Sequence, residues 1–335
     1  MARYLVTGGA GFIGSNFVRY ILRTYPDAQV VNLDKLTYCG NLDNLKDVAG
    51  DARYCFVHGD IADAAVVKGI FDRGIDIVVN FAAETHVDRS IGDPADFIKT
   101  NVFGSYVLLE AAKDHGVTKF IQISTDEVYG SIEHGRSSVE TDELLPRNPY
   151  SASKVGADRL AYSYFANYAM PVCITRASNN YGPYQYPEKL IPLFVTNLLE
   201  DKQVPIYGDG KNIRDWLHVE DHCRGIDCVI RRGVNGEVYN IGGGNERENI
   251  AVINLMLAHL KKPESLKKYV KDRLGHDRRY SLSSAKIGTL GWQPQVGFEQ
   301  GIRATIDWYA QNRWWWEKLK DGSYWEYYKQ QYEQR

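Results

Sequence analysis

Thr7-Gly8-Gly9-Ala10-Gly11-Phe12-Ile13-Gly14 decides the fold. The apolar run Tyr4-Leu5-Val6 precedes it and a helical pattern follows, so the glycines at 8, 11 and 14 fall between a strand and a helix. Glycine there permits a tight turn, lets backbone approach an anion, and allows close helix packing, with the helix N-terminus facing the negative charge. A second apolar run, Val30 to Leu33, ends at Asp34, twenty residues after Gly14. That spacing adds an acceptor for a ribose diol to the anion site.

The same alternation continues outward. Strands are expected at Tyr4 to Thr7, Val30 to Leu33, Tyr54 to His58, Ile75 to Asn80, Lys119 to Ser124 and Val172 to Thr175. Amphipathic stretches such as Phe97 to His115 and Ser151 to Tyr168 separate them, which predicts an α/β doubly wound parallel sheet of the Rossmann type. After Tyr181-Gly182-Pro183 the texture becomes Pro- and Gly-punctuated, with helices expected near Glu188 to Glu200, Val219 to Arg231 and Ile250 to Leu260. The expected division is a cofactor domain over 1–180 and, over 181–335, a smaller C-terminal α+β lobe mainly for substrate. The aromatic C-terminus, from Trp308-Tyr309 through Trp314-Trp315-Trp316 to Trp325 and Tyr328, reads as packing against the body.

A length of 335 residues suits one large core with a second lobe. The net charge of -2 gives no basic field for nucleic acid or anionic membrane. No run is apolar for long enough to span a bilayer, and the strand beginning near Arg3 follows no secretory leader. Five cysteines without CxxC spacing, and eight dispersed histidines, predict no metal site and a reduced, cytoplasmic setting. The expected partners are small molecules.

The turn and Asp34 together call for a dinucleotide, and a carboxylate at this place repels a 2'-phosphate, so NAD is expected over NADP. Lys35 beside it partly offsets that repulsion. The cofactor set is Gly8, Gly11, Phe12, Ile13, Gly14, Asp34, Lys35, Leu36 and Thr37, then Asp60-Ile61 after the third strand and Ala82-Ala83 after the fourth.

Tyr150 and Lys154 lie four apart on one helix face. A phenol is a weak base near neutrality, but an ammonium and an oxidised nicotinamide both favour its phenolate, which then accepts a carbinol proton. Thr125, closing the fifth strand, bridges phenol and substrate. Asp126-Glu127 follow directly. Adjacent carboxylates in a closed site disfavour double ionisation, so one of them holds a proton. The ordinary readings are a surface Tyr/Lys pair and an acidic turn.

Tyr150-x-x-x-Lys154, the glycine pattern and the long second lobe resemble the extended short-chain dehydrogenase/reductase superfamily. Within it, Thr125-Asp126-Glu127-Val128-Tyr129-Gly130, Glu84-Thr85-His86-Val87-Asp88-Arg89-Ser90 and Asn179-Asn180-Tyr181-Gly182-Pro183-Tyr184 are similar to the dTDP-glucose 4,6-dehydratase family, as are Pro187 to Pro192, Arg214-Asp215-Trp216 and Gly275 to Tyr280. The resemblance implies a lyase acting on dTDP-glucose with tightly bound NAD+ regenerated each turnover. Tyr150 would accept the C4 hydroxyl proton, Glu127 the C5 proton, and Asp126 would protonate the departing C6 hydroxyl. It also implies cofactor contacts at Thr100 and Asn180, and substrate contacts at Thr85, His86, Thr125, Asn179, Lys189, Leu190, Pro205, Ile206, Tyr207, Arg214, Asn249, Arg273, His276 and Asp277. Leu274 stands where the family has proline. Family members commonly form homodimers through the two long helices of the cofactor domain, and their products feed deoxysugars such as rhamnose. The competing readings are a dehydratase of UDP- or CDP-linked sugars, a 4-epimerase, which has no use for the Asp-Glu pair, and a non-catalytic dinucleotide-binding regulator.

Overall fold

The computed structural model describes residues 2–272 and 276–333. Twelve strands are present among them: β1 Arg3–Thr7, β2 Gln29–Asp34, β3 Tyr54–His58, β4 Ile77–Asn80, β5 Lys119–Thr125, β6 Val172–Ala177, β7 Asn179–Tyr181, β8 Val204–Tyr207, β9 Ile213–His218, β10 Val238–Ile241, β11 Glu246–Glu248 and β12 Lys267–Val270. Seven form one parallel sheet in the order β3-β2-β1-β4-β5-β6-β10. The order reverses between β1 and β4, the switch point where α/β sheets open a crevice at their carboxyl ends.

Strand side chains alternate between the two faces. Tyr4, Val6, Val30 and Val79 pack with the Phe12–Thr24 and Val219–Arg232 helices, while Leu5, Val31, Val78 and Phe120 pack with the helices of the other side. β10 is the departure from the six expected strands: Val238–Ile241 comes from beyond residue 180 and pairs with β6. Its four residues are too few to stand out in a Gly-punctuated region.

The Phe97 to His115 stretch also departs from a regular helix, because Ile98–Gly104 is wound as a π-helix before Ser105–His115 becomes α-helical. Buried Asn101 explains the wide turn. Its Oδ1 accepts from Glu84 N at 2.9 Å, while its Nδ2 donates to Glu84 O at 3.1 Å and to Ser153 Oγ at 2.8 Å.

The remaining strands make a three-stranded sheet, β11-β9-β7, and a pair, β12-β8. A third apolar cluster joins the Leu190–Leu199, Asn249–Leu260 and Phe298–Gln311 helices and contains Trp315, Trp316 and Tyr324, all buried. Among the described residues no helix is long and apolar enough to cross a membrane.

A buried polar network ties the layers together. Arg176 on β6 donates through Nε to Asp158 Oδ2 at 3.0 Å and through Nη1 to the Tyr129 hydroxyl at 2.8 Å. Tyr129 donates to Asn240 Oδ1 on β10, also at 2.8 Å. Arg176 and Asp158 are almost wholly excluded from solvent, at 1% and 0% exposure, so removing one partner strands a buried charge. Asp158→Ala is expected to lower unfolding free energy by about 3–5 kcal/mol, as measured by urea denaturation. A loss comparable to that of an exposed ion pair would contradict this role.

Candidate active site

The glycine-rich turn opens the site. Gly8 has φ +67°, and a Cβ there would lie 2.8 Å from Ala82 N; one on Gly14 would lie 2.3 Å from Gly8 O. No larger residue fits either place without moving backbone. The Phe12–Thr24 helix starts at Gly11 with no side chain capping its first amides, which leaves those N–H groups for an anion. Thr7 Oγ1 donates to Asn80 Oδ1 at 2.6 Å and accepts from Ala82 N at 3.2 Å, locking the ends of β1 and β4 on either side of the crevice.

Asp34 stands at the end of β2, accepting from Ala10 N at 2.9 Å on Oδ2 and from Leu36 N at 2.8 Å on Oδ1. Burial raises its pKa, against which these two amides hold it down. Each oxygen keeps a second lone pair for a ribose hydroxyl. Lys35 pairs with Asp60 at 2.9 Å, so its charge is partly neutralised where a 2'-phosphate would sit. The donors, the uncapped helix and the carboxylate fit NAD.

The residues from the glycine turn, Asp34, Lys35, Thr37, Asp60, Ile61, Ala82, Ala83, Thr100 and Asn180 all line one cleft, and so do Thr125, Asp126, Glu127, Tyr150 and Lys154. Leu36 is set differently: at φ +54° it contributes its amide to Asp34.

β5 ends at Thr125, whose hydroxyl caps the short turn Asp126–Tyr129 by accepting from Glu127 N at 3.3 Å. The same hydroxyl bonds Asp126 Oδ1 at 3.2 Å. Asp126 is 3% exposed, and its Oδ2 has no protein partner. Burial first, then the charges of Glu127 and Asp215, push its pKa well above the usual carboxylate range, with Arg214 opposing. Both effects favour the protonated form of Asp126, a bias within the pair that the sequence alone left open. Glu127 accepts from Asn148 Nδ2 at 3.3 Å.

Asn148 also caps the Pro149–Tyr168 helix, which carries Tyr150 and Lys154. Lys154 Nζ donates to Ile123 O at 2.6 Å, and burial brings its pKa down to about 8. Tyr150 moves the other way: burial and the Glu127 charge raise its pKa, while a hydrogen bond with Thr125 opposes the rise. The positive charge of an oxidised nicotinamide beside it would favour the phenolate.

Of the expected substrate contacts, Thr85, Asn179 and Lys189 line this cleft. His86 is buried instead, 3.9 Å from Glu188, and Leu190 begins a helix and packs in the third cluster. Pro205, Ile206 and Tyr207 lie on β8, with Tyr207 against the His276 ring, centroids 5.9 Å apart. Arg214 lies over the Tyr280 ring at 4.4 Å and donates to Asp277 O at 3.0 Å. The Asp277 carboxylate accepts from Arg147 at 3.1 Å and from Tyr280 at 2.7 Å. Asn249 opens its helix with Oδ1 buried and unpartnered. Arg273 lies outside the described residues.

Three cleft or near-cleft groups escaped the sequence reading. Glu188, 5% exposed, accepts from Tyr38 at 2.8 Å. His222 is fully buried and shares 2.9 Å with Asn180 Oδ1, which makes its Nδ1 the donor. Asn101 was marked only by being an amide inside an otherwise helical pattern. Among the described residues no group of three or more His, Cys, Asp or Glu could hold a metal.

A dinucleotide crevice at the carboxyl ends of a parallel sheet, beside a Tyr-x-x-x-Lys helix, defines an enzyme of the extended short-chain dehydrogenase/reductase class. A family model described as GDP-mannose 4,6 dehydratase matches residues 5–305. A dTDP-glucose 4,6-dehydratase of Streptomyces antibioticus is 53% identical, covering 94% of this chain and 95% of that one. The dTDP-glucose 4,6-dehydratase 1 of Escherichia coli K12 is 48% identical over 99% of each. The solved dTDP-glucose 4,6-dehydratase DesIV of Streptomyces venezuelae, with NAD bound, superposes with a TM-score of 0.92 at 53% identity, covering 95% of this chain and 100% of that one. The chain belongs to the dTDP-glucose 4,6-dehydratase family.

The raised Asp126 pKa has a stability consequence. Below the ordinary carboxylate value of 3.8, Asp126 is neutral in folded and unfolded chains alike. As pH rises the unfolded chain releases this proton first, which favours unfolding until the folded-state pKa is passed. Asp126→Asn should therefore match the parent's melting temperature in acid and exceed it at neutral pH. Equal melting temperatures throughout would mean that Asp126 ionises normally.

Proposed function

We propose that this chain is a hydro-lyase converting dTDP-glucose to dTDP-4-keto-6-deoxy-D-glucose. The observation that carries the reading is the buried Asp126, its pKa raised by that burial, next to Glu127 in the same cleft as Tyr150 and Lys154. An epimerase needs only the last two. Bound NAD+ supplies a hydride acceptor at C4 and a hydride donor at C6, so none is consumed.

The chain's own residues move the protons. Tyr150, bridged by Thr125, takes the C4 hydroxyl proton. Lys154, held by the Ile123 carbonyl, steadies the phenolate. Once C4 is a ketone the C5 hydrogen is acidic; Glu127 removes it, and Asp126 gives its proton to the C6 hydroxyl as water departs. Glu127 then returns a proton to C5. Arg214 serves the diphosphate, where a guanidinium fork matches phosphate oxygens.

Residues 1–180 hold cofactor and catalytic groups in this reading, and 181–335 mainly hold the nucleotide sugar. The Ile98–Gly104 turn and the two long helices beside it expose Ile98, Phe103, Tyr106, Tyr162 and Tyr168. Apolar side chains left exposed on these adjoining elements support a homodimer. Phe103→Glu should shift the sedimentation profile toward monomer, and an unchanged profile would remove that face from the interface. All five cysteines are free thiols, in keeping with a cytoplasmic setting.

Incubation with dTDP-glucose in D2O should give a product lacking one water and carrying deuterium at C5. Recovery of intact sugar, or turnover of UDP- or CDP-glucose alone, would contradict the assignment. Glu127→Gln should retain NAD yet lose dehydration by roughly 10²–10⁴-fold; near-parent turnover would exclude Glu127 as the base.

A further inference from the structure

The aromatic C-terminus does more than fill the third cluster. Trp315 Nε1 donates to Asn44 Oδ1 at 2.8 Å, and Asn44 in turn donates to Ala10 O of the glycine turn at 2.8 Å. Farther on, the Tyr324 hydroxyl donates to Pro187 O at 3.3 Å, and Tyr186 donates to Leu319 O at 3.4 Å. These bonds brace the stretch whose Glu188 and Lys189 line the cleft. The chain then turns through Lys329–Glu333. There Gln331, only 6% exposed, donates from Nε2 to the Tyr207 hydroxyl at 2.6 Å, and the Tyr332 ring lies 5.7 Å from that of Tyr207. Gln330 and Gln331 also line a hollow with Thr37, Tyr38, Asp88 and Arg89 of the cofactor side.

We propose that residues 313–333 form a strap across the two sides of the cleft, and that Gln331 is a positioning residue for the nucleotide, acting through Tyr207. The proposal rests on the reading of Pro205 to Tyr207 as nucleotide-contacting. Packing alone calls for aromatics and aliphatics at this place. A buried amide costs desolvation unless it is bonded, and here its bond goes to the tip of a side chain on β8. That bond fixes the Tyr207 rotamer before the nucleotide arrives, and preorganisation of this kind improves affinity without altering the chemical step.

The test uses NAD-loaded full-length chain, Gln331→Ala, Tyr207→Phe, the double variant, and a chain ending at Asp321. Titration with thymidine diphosphate and steady-state kinetics with dTDP-glucose are the readouts. Gln331→Ala should weaken thymidine diphosphate binding and raise KM by roughly fivefold with kcat preserved. The double variant should be no worse than Tyr207→Phe, because both remove one hydrogen bond. The shortened chain should bind thymidine diphosphate at least roughly tenfold more weakly. Unchanged binding in Gln331→Ala overturns the proposal whether or not the shortened chain folds. So does a parallel fall in NAD content, which would mark general loss of structure. If the parent chain fails to turn over dTDP-glucose, the functional reading falls, while the thymidine diphosphate titration still decides the strap.

Discussion

The arrangement of the site depends on one buried charge. Arg176 reaches Asp158 on the Pro149–Tyr168 helix and Tyr129 at the end of the Asp126–Tyr129 turn, and Tyr129 extends the chain of bonds to Asn240 on β10. Asp158 lies one and two turns beyond Lys154 and Tyr150 on the same helix. Satisfying one guanidinium therefore sets the distance between the helix that bears the phenol and ammonium and the turn that bears the two carboxylates. A buried ion pair of this kind adds little net stability over an apolar replacement, but a misplaced partner is costly, so it enforces a single geometry.

That geometry separates the roles of two adjacent carboxylates. Asp126 points inward, with one oxygen against Thr125 and the other without a protein partner, whereas Glu127 meets the Asn148 amide. Burial and the neighbouring negative charge then favour the protonated form of Asp126. Burial, and after it the Glu127 charge, also raises Tyr150, which favours the protonated phenol, whereas a positive cofactor ring beside it would favour the phenolate.

Much of this was legible in the residues themselves. β1 and β2 announce themselves as apolar runs ending in a glycine turn and in Asp34, and the Tyr150/Lys154 spacing is a helix-face argument. The Asp126-Glu127 pair is visible too. Which of its members holds the proton is not, because that depends on Asp215, Arg214 and solvent exclusion, all set by tertiary structure. Val238–Ile241 was missed because a short strand among glycines carries little periodic signal. The π-helical turn at Ile98–Gly104 was missed because its apolar spacing is that of an ordinary helix, while the buried bonds of Asn101 to Glu84 and Ser153 that accompany it are tertiary. Glu188 and His222 were not singled out as site residues in the sequence, yet the fold buries both at the cleft.

The central claim is that Asp126 is a neutral acid at the pH where the enzyme works. Infrared difference spectroscopy between the NAD-loaded parent and Asp126→Asn at neutral pH addresses it directly. The account predicts a protonated carboxyl C=O stretch that belongs to Asp126 and shifts in D2O. A difference spectrum containing only carboxylate bands would contradict it.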